Sequence, residues 1–207
     1  MAVVDKFNKF ARYYDNFFIQ FFCSITHRRI IKFIKKYIEN NFNILDIGCG
    51  TGNCLNKVAK LNNQLQLFGL DNSLEMIKIA RNKFKKITFS SGNAEDLPFE
   101  DNLFNLIITT DAFYYFKKKE RVISECSRVL KGNGYLFIFT PSIDQFLSRL
   151  LVNLSKISSI EKESQHLYLK DLIFLTESYG FKLIKKDLSN WPGLFGFKYW
   201  SLLFQKI

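Results

Sequence analysis

The spacing of apolar side chains predicts two helices in the first forty residues. Aromatic side chains recur there at intervals of three and four, with polar side chains between them. The repeating residues are Phe7, Phe10, Tyr14, Phe17, Phe18 and Phe21. A second helical stretch is predicted from about Thr26 to Glu39. The N-terminal part is therefore expected to be helical, with one aromatic face.

From residue 42 onward, short apolar runs alternate with helical patterns. The runs predict strands at Phe42–Ile47, Leu65–Leu70, Ile87–Phe89, Phe104–Thr109 and Tyr135–Thr140. The helical patterns cover Asn53–Leu61, the stretch from the capping residues Asp71-Asn72-Ser73 to about Phe84, and Lys117–Leu130, which should stop at Lys131-Gly132-Asn133-Gly134. This alternation predicts an α/β fold, with helices on both faces of a parallel sheet.

The end of the chain departs from this alternation. A helix predicted at Leu169–Tyr179 is followed by a strand at Phe181–Lys186, a turn at Trp191-Pro192-Gly193 and a strand at Tyr199–Gln205. Because no helix separates the last two strands, we expect them to pair antiparallel as a hairpin.

Composition narrows the location of the protein and the partners it is expected to have. The net charge is +11, but the basic residues form short scattered groups, which indicates solvated helix faces and no specific nucleic-acid partner. Four cysteines without CxxC spacing and two histidines argue against a metal site or a disulfide framework. With no apolar run of membrane-span length and no signal-peptide pattern, we expect a cytoplasmic protein.

The stretch ILDIGCGTGN, residues 44–53, contains three glycines directly after the first predicted strand. Gly48 and Gly50 allow a tight turn and close approach to a ligand, and Gly52 allows the next helix to pack on the strand. Asp71 ends the following strand, nineteen residues after Gly52, where an acidic side chain accepts hydrogen bonds from ribose hydroxyls. Together these features predict a ribose-containing cofactor.

The aspartate in this stretch favours a cationic cofactor. A carboxylate at the end of an apolar run is costly to bury without a partner, and Asp46 places negative charge beside the turn. That charge is unfavourable for a pyrophosphate. It is favourable for S-adenosylmethionine, which carries an ammonium and a sulfonium and no phosphate.

Four segments in order resemble the class I S-adenosylmethionine-dependent methyltransferases, specifically the type 11 branch that includes the ubiquinone/menaquinone C-methyltransferases. The segments are ILDIGCGTGN, LFGLDNSLEMIKIA, SGNAEDLPFEDNLFNLIITTDAFYYF and RVLKGNGYLFIFTP. The resemblance covers about Phe42 to Pro141 and continues more weakly through YLKDLIFLTESYGF. It implies a Rossmann-like, doubly wound, seven-stranded, mostly parallel sheet with an antiparallel last strand, S-adenosyl-L-methionine as cofactor, and methyl transfer as the activity.

The resemblance also implies cofactor-binding residues. The wall around the methionine part would be Asp46, Gly48, Cys49 and Gly50. The ribose and adenine would be held by Asp71, Asn72, Met76, Asn93, Ala94 and Glu95. The family usually has aspartate at the Asn93 position, but an amide oxygen can also accept from the adenine amine. Thr109 to Ala112 would lie under the methyl group, and Tyr14, with Tyr13 as second choice, would lie near the cofactor.

The sequence defines the residues that would bind the methyl acceptor less clearly than those that would bind the cofactor. We assign no catalytic base, although His166, Tyr114, Tyr115 and His27 are candidates. The N-terminal aromatic helix, the apolar segment Pro141–Gln165 and the stretch Trp191–Phe197 are expected to surround a small hydrophobic acceptor such as a quinone precursor or lipid. The basic side of the first helix also suits peripheral contact with an anionic membrane. The alternative is that these aromatic side chains are core.

We therefore expect one methyltransferase domain over residues 1–207. Its parts would be an N-terminal helical lid over 1–40, a cofactor-binding core over 41–141, and acceptor-side helices with the C-terminal hairpin over 142–207. The oligomeric state is left open.

Three other functions stay as alternatives. An NAD(P)-dependent oxidoreductase would need Gly or Ala at position 53, where this chain has Asn. A non-catalytic cofactor-binding or scaffold protein is supported by Asn93 alone. Nucleic-acid methylation is supported by the net charge alone, without an NPPY-type or paired-cysteine motif.

Overall fold

The computed structural model describes residues 3–156, 161–190 and 197–207. Within these residues the chain forms one seven-stranded sheet and seven α-helices. The strands are β1 (Asn43–Ile47), β2 (Gln66–Asp71), β3 (Thr88–Ser91), β4 (Phe104–Thr110), β5 (Leu130–Pro141), β6 (Phe181–Asn190) and β7 (Lys198–Lys206). The helices are α1 (Val3–Tyr14), α2 (Phe17–Ile34), α3 (Asn53–Ala59), α4 (Leu74–Lys83), α5 (Lys119–Val129), α6 (Phe146–Ser155) and α7 (Leu169–Glu177).

The strand order is β3-β2-β1-β4-β5-β7-β6. The pairs among β1 to β5 are parallel, and β7 lies antiparallel to both β5 and β6. The predicted doubly wound sheet with an antiparallel last strand is confirmed, and so is the antiparallel pairing of the last two strands. The predicted turn at Trp191-Pro192-Gly193 lies outside the described residues.

The core consists of two apolar layers, one on each face of the sheet. Side chains of β1 and β4 alternate between them. Ile44 and Ile108 belong to the layer that contains α2 and α3, whereas Leu45 and Ile107 belong to the layer that contains α5 and α7. These four side chains are fully buried. Continuous apolar runs were therefore the correct signal for strands buried on both faces.

The N-terminal helices break at a different place from the one predicted. The break falls at Asp15, between α1 and α2, and α2 runs without interruption through Thr26. The Asp15 carboxylate accepts hydrogen bonds from Thr51 Oγ1 at 2.8 Å, Asn53 Nδ2 at 2.9 Å and Lys83 Nζ at 2.6 Å. Contacts with residues distant in sequence thus fix this break, and helical periodicity could not reveal them. The side chains of Phe17 and Phe18 lie outside the described residues.

Strand β5 begins at Leu130, five residues before the predicted start. The glycine-containing run after α5 is part of the strand. Phe104 pairs with Leu130 and Leu106 with Tyr135, so the register shifts between these pairs as in a β-bulge. A side chain at Gly134 would place its Cβ 2.9 Å from the Lys131 carbonyl oxygen, so the bulge needs a glycine there.

The direction of chain winding reverses between β1 and β4, because β2 and β3 extend the sheet on one side and β4 and β5 on the other. In open α/β sheets, ligands bind beyond the carboxyl ends of the strands at such a reversal. That edge carries the turn with Gly48, Gly50 and Gly52 (the glycine turn), the Asp71 side chain and the end of β4. None of the helices in the described residues combines the length and apolarity needed to cross a bilayer.

Candidate active site

The turn after β1 has an unusual backbone. Gly48, Gly50 and Gly52 adopt φ values of 77°, 53° and 79°, in the left-handed region that favours glycine. The Gly48 and Cys49 N–H groups donate to the Leu70 carbonyl oxygen at 2.8 and 3.1 Å. A Cβ on Gly48 would lie 2.3 Å from the Cβ of Ala112, so this position excludes every side chain.

Asp71 ties the turn to the end of β2. Its Oδ2 accepts from the Gly50 N–H at 2.9 Å, and its Oδ1 accepts from the Ser73 N–H at 2.8 Å. Ser73 in turn caps α4 by accepting from the Met76 N–H at 3.2 Å. Burial raises the pKa of Asp71, and the two N–H donors oppose that rise. Each carboxylate oxygen keeps a second lone pair with which it can accept from a ligand hydroxyl.

A cavity of about 390 Å³ opens at this edge of the sheet. Its lining comes from α1, the turns after β1, β2 and β3, and the segment that follows β4. The residues are Val4, Phe7, Tyr14, Ile47, Gly48, Gly50, Leu70, Asp71, Asn72, Ser73, Met76, Gly92, Asn93, Ala94, Glu95, Thr110, Asp111, Ala112, Tyr115, Phe116 and Lys117. The volume is at the low end of the range for small-molecule sites.

Most of the predicted cofactor-binding residues meet in this cavity. Those that line it are Tyr14, Gly48, Gly50, Asp71, Asn72, Met76, Asn93, Ala94 and Glu95. The structure also separates the two tyrosine candidates. Tyr14 lies against the turn, with its ring 3.7 Å from the position of a Cβ on Gly50, whereas Tyr13 is 64% exposed.

Three predicted residues do not line the cavity: Asp46, Cys49 and Thr109. All three are buried beneath it. Successive strand side chains point to opposite faces, so Thr109 and Thr110 cannot both face the ligand, and Thr110 is the one that does. Of the segment predicted to lie under the methyl group, Thr110, Asp111 and Ala112 line the cavity, and a contact of Thr109 with the cofactor stays a prediction.

Asp46 is fully buried, and neither of its carboxyl oxygens has a hydrogen-bond partner among the described residues. Burial, with a smaller contribution from the Asp71 charge, raises the pKa of Asp46 to about 8. Asp46 is therefore mostly protonated near pH 7 in the free protein.

The segment after β3 presents backbone and amide groups to the cavity. The Asn93 Oδ1 accepts from the Glu95 N–H at 3.0 Å, which holds the turn between these residues. The Glu95 Oε1 accepts from the Lys118 N–H at 3.2 Å. Ala94 is buried between them as part of the wall. This segment is predicted to recognise adenine, and its position in the cavity supports that prediction.

Phe116 and Lys117 line the cavity without having been predicted there. Thr110 and Asp111 also line it, and both fell within the segment predicted to lie under the methyl group, where neither was given an individual role. A signal for Asp111 was present, because it directly follows a buried strand, whereas Asp71 is the last residue of one. Tyr115, considered only as a candidate base, also lines the cavity and donates a hydrogen bond to Glu161.

The histidine candidates for a base do not line the cavity. His166 stacks on Tyr114, with ring centroids 4.6 Å apart, and its Nε2 lies 3.2 Å from Ser164 Oγ. Burial lowers the pKa of His166 to about 4 and that of His27 to about 3, so both are neutral near pH 7. Tyr114 is buried under the site.

The expected apolar wall of the acceptor site is only partly present. Side chains of α1 line the cavity, but none from Pro141–Gln165 does among the described residues. Four apolar residues of α6 face solvent instead, whereas Val152 on the same helix is buried. Their exposed fractions are 74% for Phe146, 44% for Leu147, 45% for Leu150 and 52% for Leu154. Residues 191–196 of the predicted stretch Trp191–Phe197 lie outside the described residues.

The cavity suits a ligand that carries positive charge. Asp71, Asp111 and Glu95 line it, Asp46 lies beneath it, and Lys117 is the only cationic side chain among the described lining residues. Buried carboxyl oxygens of Asp46 and Asp111 have no hydrogen-bond partners within the described chain. The class I methyltransferase fold is defined by a sheet with a reversed last strand, a glycine turn after β1 and an acidic residue at the end of β2. All three features are present here.

Comparison with known proteins agrees with this class. A family model described as "Methyltransferase domain" matches residues 38–190. The chain belongs to this family, and it is an S-adenosyl-L-methionine-dependent methyltransferase. The matched region extends beyond the Pro141 limit of the motifs read from the sequence.

Two relatives and one solved structure illustrate the range of similar proteins. The chain is 32% identical to uncharacterized protein MJ1123 of Methanocaldococcus jannaschii over 182 residues, which is 88% of this chain and 83% of that protein. It is 32% identical to demethylmenaquinone methyltransferase of Thermotoga maritima over 150 residues, covering 70% of this chain and 65% of that enzyme. A SAM-dependent methyltransferase structure from Thermotoga maritima superposes with a TM-score of 0.78 at 20% identity, over 99% of this chain and 100% of the other.

Proposed function

We propose that this methyltransferase acts on a small acceptor with a largely apolar body, of the quinone-precursor or lipid-like class. The observation that carries the proposal is the composition of the cavity lining, which combines carboxyl and amide groups with aromatic side chains. The aromatic lining residues beside Tyr14 are Phe7, Tyr115 and Phe116. The similarity to a demethylmenaquinone methyltransferase supports the same class of acceptor.

The acidic and amide lining residues would hold the cofactor. S-adenosylmethionine, when bound, supplies a methyl group activated by the positive sulfonium. Asp71 would accept from the ribose hydroxyls, and the segment from Asn93 to Glu95 would contact the adenine. The glycine turn brings backbone N–H groups close to the ligand without side chains between them. These groups bind and orient, which is the main contribution of a protein to an in-line displacement.

Helix α1 would close the site over both ligands. Its Asn8 Oδ1 accepts from Ser73 Oγ at 2.6 Å, and its Phe7 ring packs edge-on against Tyr115 at 5.2 Å between centroids. Lys6 pairs with Glu163 at 3.0 Å. A helix attached at these points excludes water from the reacting atoms and must move for ligands to enter.

The alternatives of the sequence analysis receive no support from the site. A pyrophosphate in the cavity would lie next to the Asp71 carboxylate, which repels its charges. Nucleic-acid methylation would need a basic surface around the opening, and Lys117 is the only cation among the described lining residues.

The test combines binding with label transfer. Calorimetry with S-adenosylhomocysteine should show one site, and NAD should show none. Methyl-labelled S-adenosylmethionine is then incubated with the protein and cell extract, and the label is counted in lipid, small-molecule and RNA fractions. We expect the label in organic-extractable small molecules. Label confined to RNA or protein would contradict the proposed acceptor class.

A further inference from the structure

Asp111 has a backbone conformation that few residues other than glycine adopt. It directly follows β4 with φ at 55°. Aspartate tolerates this left-handed region better than most side chains, although at some cost in free energy. The Asp111 N–H donates to the Phe139 carbonyl oxygen at 3.2 Å, so neighbouring β5 holds this conformation. Such strain is found where a side chain must point in a particular direction.

The carboxyl group of Asp111 is only partly satisfied by the protein. The hydroxyl of Tyr199 from β7 hydrogen-bonds with it. Its Oδ1 is buried and has no partner among the described residues. Since Asp111 lines the cavity, this oxygen is available to a ligand. A buried acceptor without a partner is costly unless a ligand supplies the donor.

The other carboxyl groups around the cavity are already engaged or out of reach. Both oxygens of Asp71 accept from backbone N–H groups. The Glu161 carboxylate accepts from the Tyr115 hydroxyl. Asp46 is fully buried below the turn. Glu95 belongs to the segment predicted to recognise adenine. Asp111 is thus the lining carboxyl group whose buried oxygen has no partner among the described residues, and the aromatic lining residues Tyr115 and Phe116 follow it in the chain by four and five residues. The proposed function places the acceptor beside these aromatic side chains.

We propose that Asp111 is a catalytic residue whose Oδ1 accepts a hydrogen bond from an N–H or O–H on or beside the reacting atom of the acceptor, and takes that proton as the methyl is transferred. The proposal rests on the proposed function and names its acceptor chemistry. Tyr199 is a positioning residue that holds the carboxyl group through its other oxygen.

The step conserves atoms and electrons. The acceptor atom forms a bond to the methyl carbon, while the carbon–sulfur bond breaks and its electron pair stays on sulfur. The acceptor's proton forms an O–H bond with Oδ1 of Asp111, and the electron pair of the broken N–H or O–H bond stays with the acceptor. No other reactant is needed.

The proposal restricts the acceptor to a neutral or cationic reacting group, such as a phenol, a hydroquinone or an amine. A carboxylate acceptor has no such proton near neutral pH, and Asp111 and Glu161 would both repel it. Burial raises the pKa of Asp111 to about 7, which the Tyr199 hydrogen bond opposes. A base of this pKa accepts protons efficiently near neutral pH.

The titratable groups that face Asp111 come from several elements. They are Tyr14 on α1, Cys23 on α2, Cys54 on α3, Tyr114 and Tyr115 after β4, Glu161 and Tyr199. Burial raises the pKa of Tyr14, Tyr114 and Tyr199 well above 10 and that of Cys23 to about 11. The tyrosines and cysteines therefore stay neutral where Asp111 titrates.

The experiment compares full-length wild type with Asp111→Asn, Asp111→Gly and the exposed control Asp187→Asn. Asparagine and glycine both tolerate the backbone at position 111, so folding is checked by thermal unfolding in each. We expect S-adenosylhomocysteine to bind all variants within about twofold of wild type, because its ribose site is Asp71. Transfer of labelled methyl to the small-molecule fraction should fall at least about 100-fold in both Asp111 variants and remain unchanged in the control.

Two further measurements extend the test. In Tyr199→Phe the loss of the hydrogen bond should raise the pKa of Asp111. The rate of methyl transfer should therefore increase at a higher pH than in wild type. The labelled product should be stable to alkali. Two results would overturn the proposal. One is that the Asp111 variants bind S-adenosylhomocysteine and keep methyl transfer within threefold of wild type. The other is that the product is a methyl ester that releases its label as methanol. Failure of wild type to bind S-adenosylhomocysteine would instead refute the proposed function.

Discussion

Three aspartates that each lie at or next to the end of a strand have different surroundings, and these surroundings separate their roles. Asp71 is held by two backbone N–H groups, which fixes its direction. Asp111 is held by one tyrosine and keeps a free oxygen. Asp46 has no partner among the described residues and no exposed surface. The neighbours of each side chain therefore suit Asp71 to hold a ligand and Asp111 to accept a proton, and they keep Asp46 protonated in the interior.

Gly48→Ala should abolish S-adenosylhomocysteine binding. The new Cβ would lie 2.3 Å from Ala112 Cβ, and the φ of 77° is unfavourable for alanine. Gly180→Ala is the matched control, because Gly180 has a φ of 82° but open space around the added Cβ. We expect the control to lose about 1–2 kcal/mol of stability from backbone strain and to bind normally in calorimetry. Normal binding by Gly48→Ala would remove the turn from the site.

Asp71→Ala should weaken S-adenosylhomocysteine binding by about ten- to a hundredfold, through loss of charge-assisted hydrogen bonds to ribose. The Gly50 and Ser73 N–H groups lose their acceptor as well, so a modest fall in thermal stability is expected. Calorimetry beside the exposed control Asp187→Ala measures the effect. An affinity equal to that of the control would show that Asp71 does not hold the cofactor.

Asp46 should make the free protein less stable as pH rises from about 4 to 8. Its folded pKa of about 8 exceeds the unfolded value. In this interval the unfolded state has released the proton that the folded state keeps, so the free energy of unfolding falls by up to about 1.4 kcal/mol per pH unit. Urea unfolding at pH 5.5 and 7.5 should show a larger loss in wild type than in Asp46→Asn. Equal losses would mean that Asp46 ionises normally.

At the scale of elements, α1 is attached to the site and not to the core. Neither apolar layer of the described residues includes a side chain of α1. Its contacts are with Ser73, Tyr115 and Glu163, around the cavity. In contrast, Ile30, Phe33 and Ile34 of α2 are part of the core. The lid over residues 1–40 stays a prediction, and the contacts of α1 make this helix the part of it that lies at the cavity.

Deletion of residues 1–14 should leave a folded protein, because Asp15 and its hydrogen bonds to Thr51, Asn53 and Lys83 are kept. Affinity for S-adenosylhomocysteine should fall modestly through loss of Tyr14, and methyl transfer should fall much more through entry of water. Thermal unfolding, calorimetry and label transfer measure the three effects, with Tyr13→Ala as a surface control. A truncated protein without cooperative unfolding would show that α1 is core, and one with full transfer would exclude a lid.

At the scale of the whole molecule, the C-terminal hairpin is continuous with the rest of the sheet. Seven residues of β5, from Tyr135 to Pro141, pair in register with β7, and β6 pairs with β7 in turn. Residues 41–141 and 142–207 consequently share one sheet and one core. We expect one cooperative unfolding transition, shifted upward by S-adenosylhomocysteine. Two separate calorimetric transitions would divide the chain into independent units.

Contact of the basic side of α1 with an anionic membrane stays a prediction, and exposed apolar side chains of α6 offer a second surface for such contact. Phe7 and Tyr14 of α1 face the cavity, whereas Phe146 and Leu154 on α6 face solvent. With a net charge of +11, any binding to anionic vesicles should weaken at high salt. Sedimentation with vesicles, using Leu150→Ser on α6 and the α1 deletion, would show which helix contributes.

The sequence by itself determined the elements and the class of cofactor. Short continuous apolar runs are typical of buried strands, and here glycine or aspartate lies at their ends. These runs predicted the bounds of β1, β2 and β4 within one or two residues. The turn of Gly48 and the position of Asp71 are local features, since each depends on residues within one βαβ unit. Local patterns suffice wherever the deciding interactions are close in sequence.

Only the tertiary structure decided which of these side chains face the ligand. Thr110 and not Thr109 lines the cavity, and Asp111 keeps a free oxygen, because strand pairing and Tyr199 of β7 set their directions. The helix break at Asp15 depends on Thr51, Asn53 and Lys83 in the same way. These contacts join residues 36 to 88 positions apart. The pattern of one segment does not show which distant segment will pack against it.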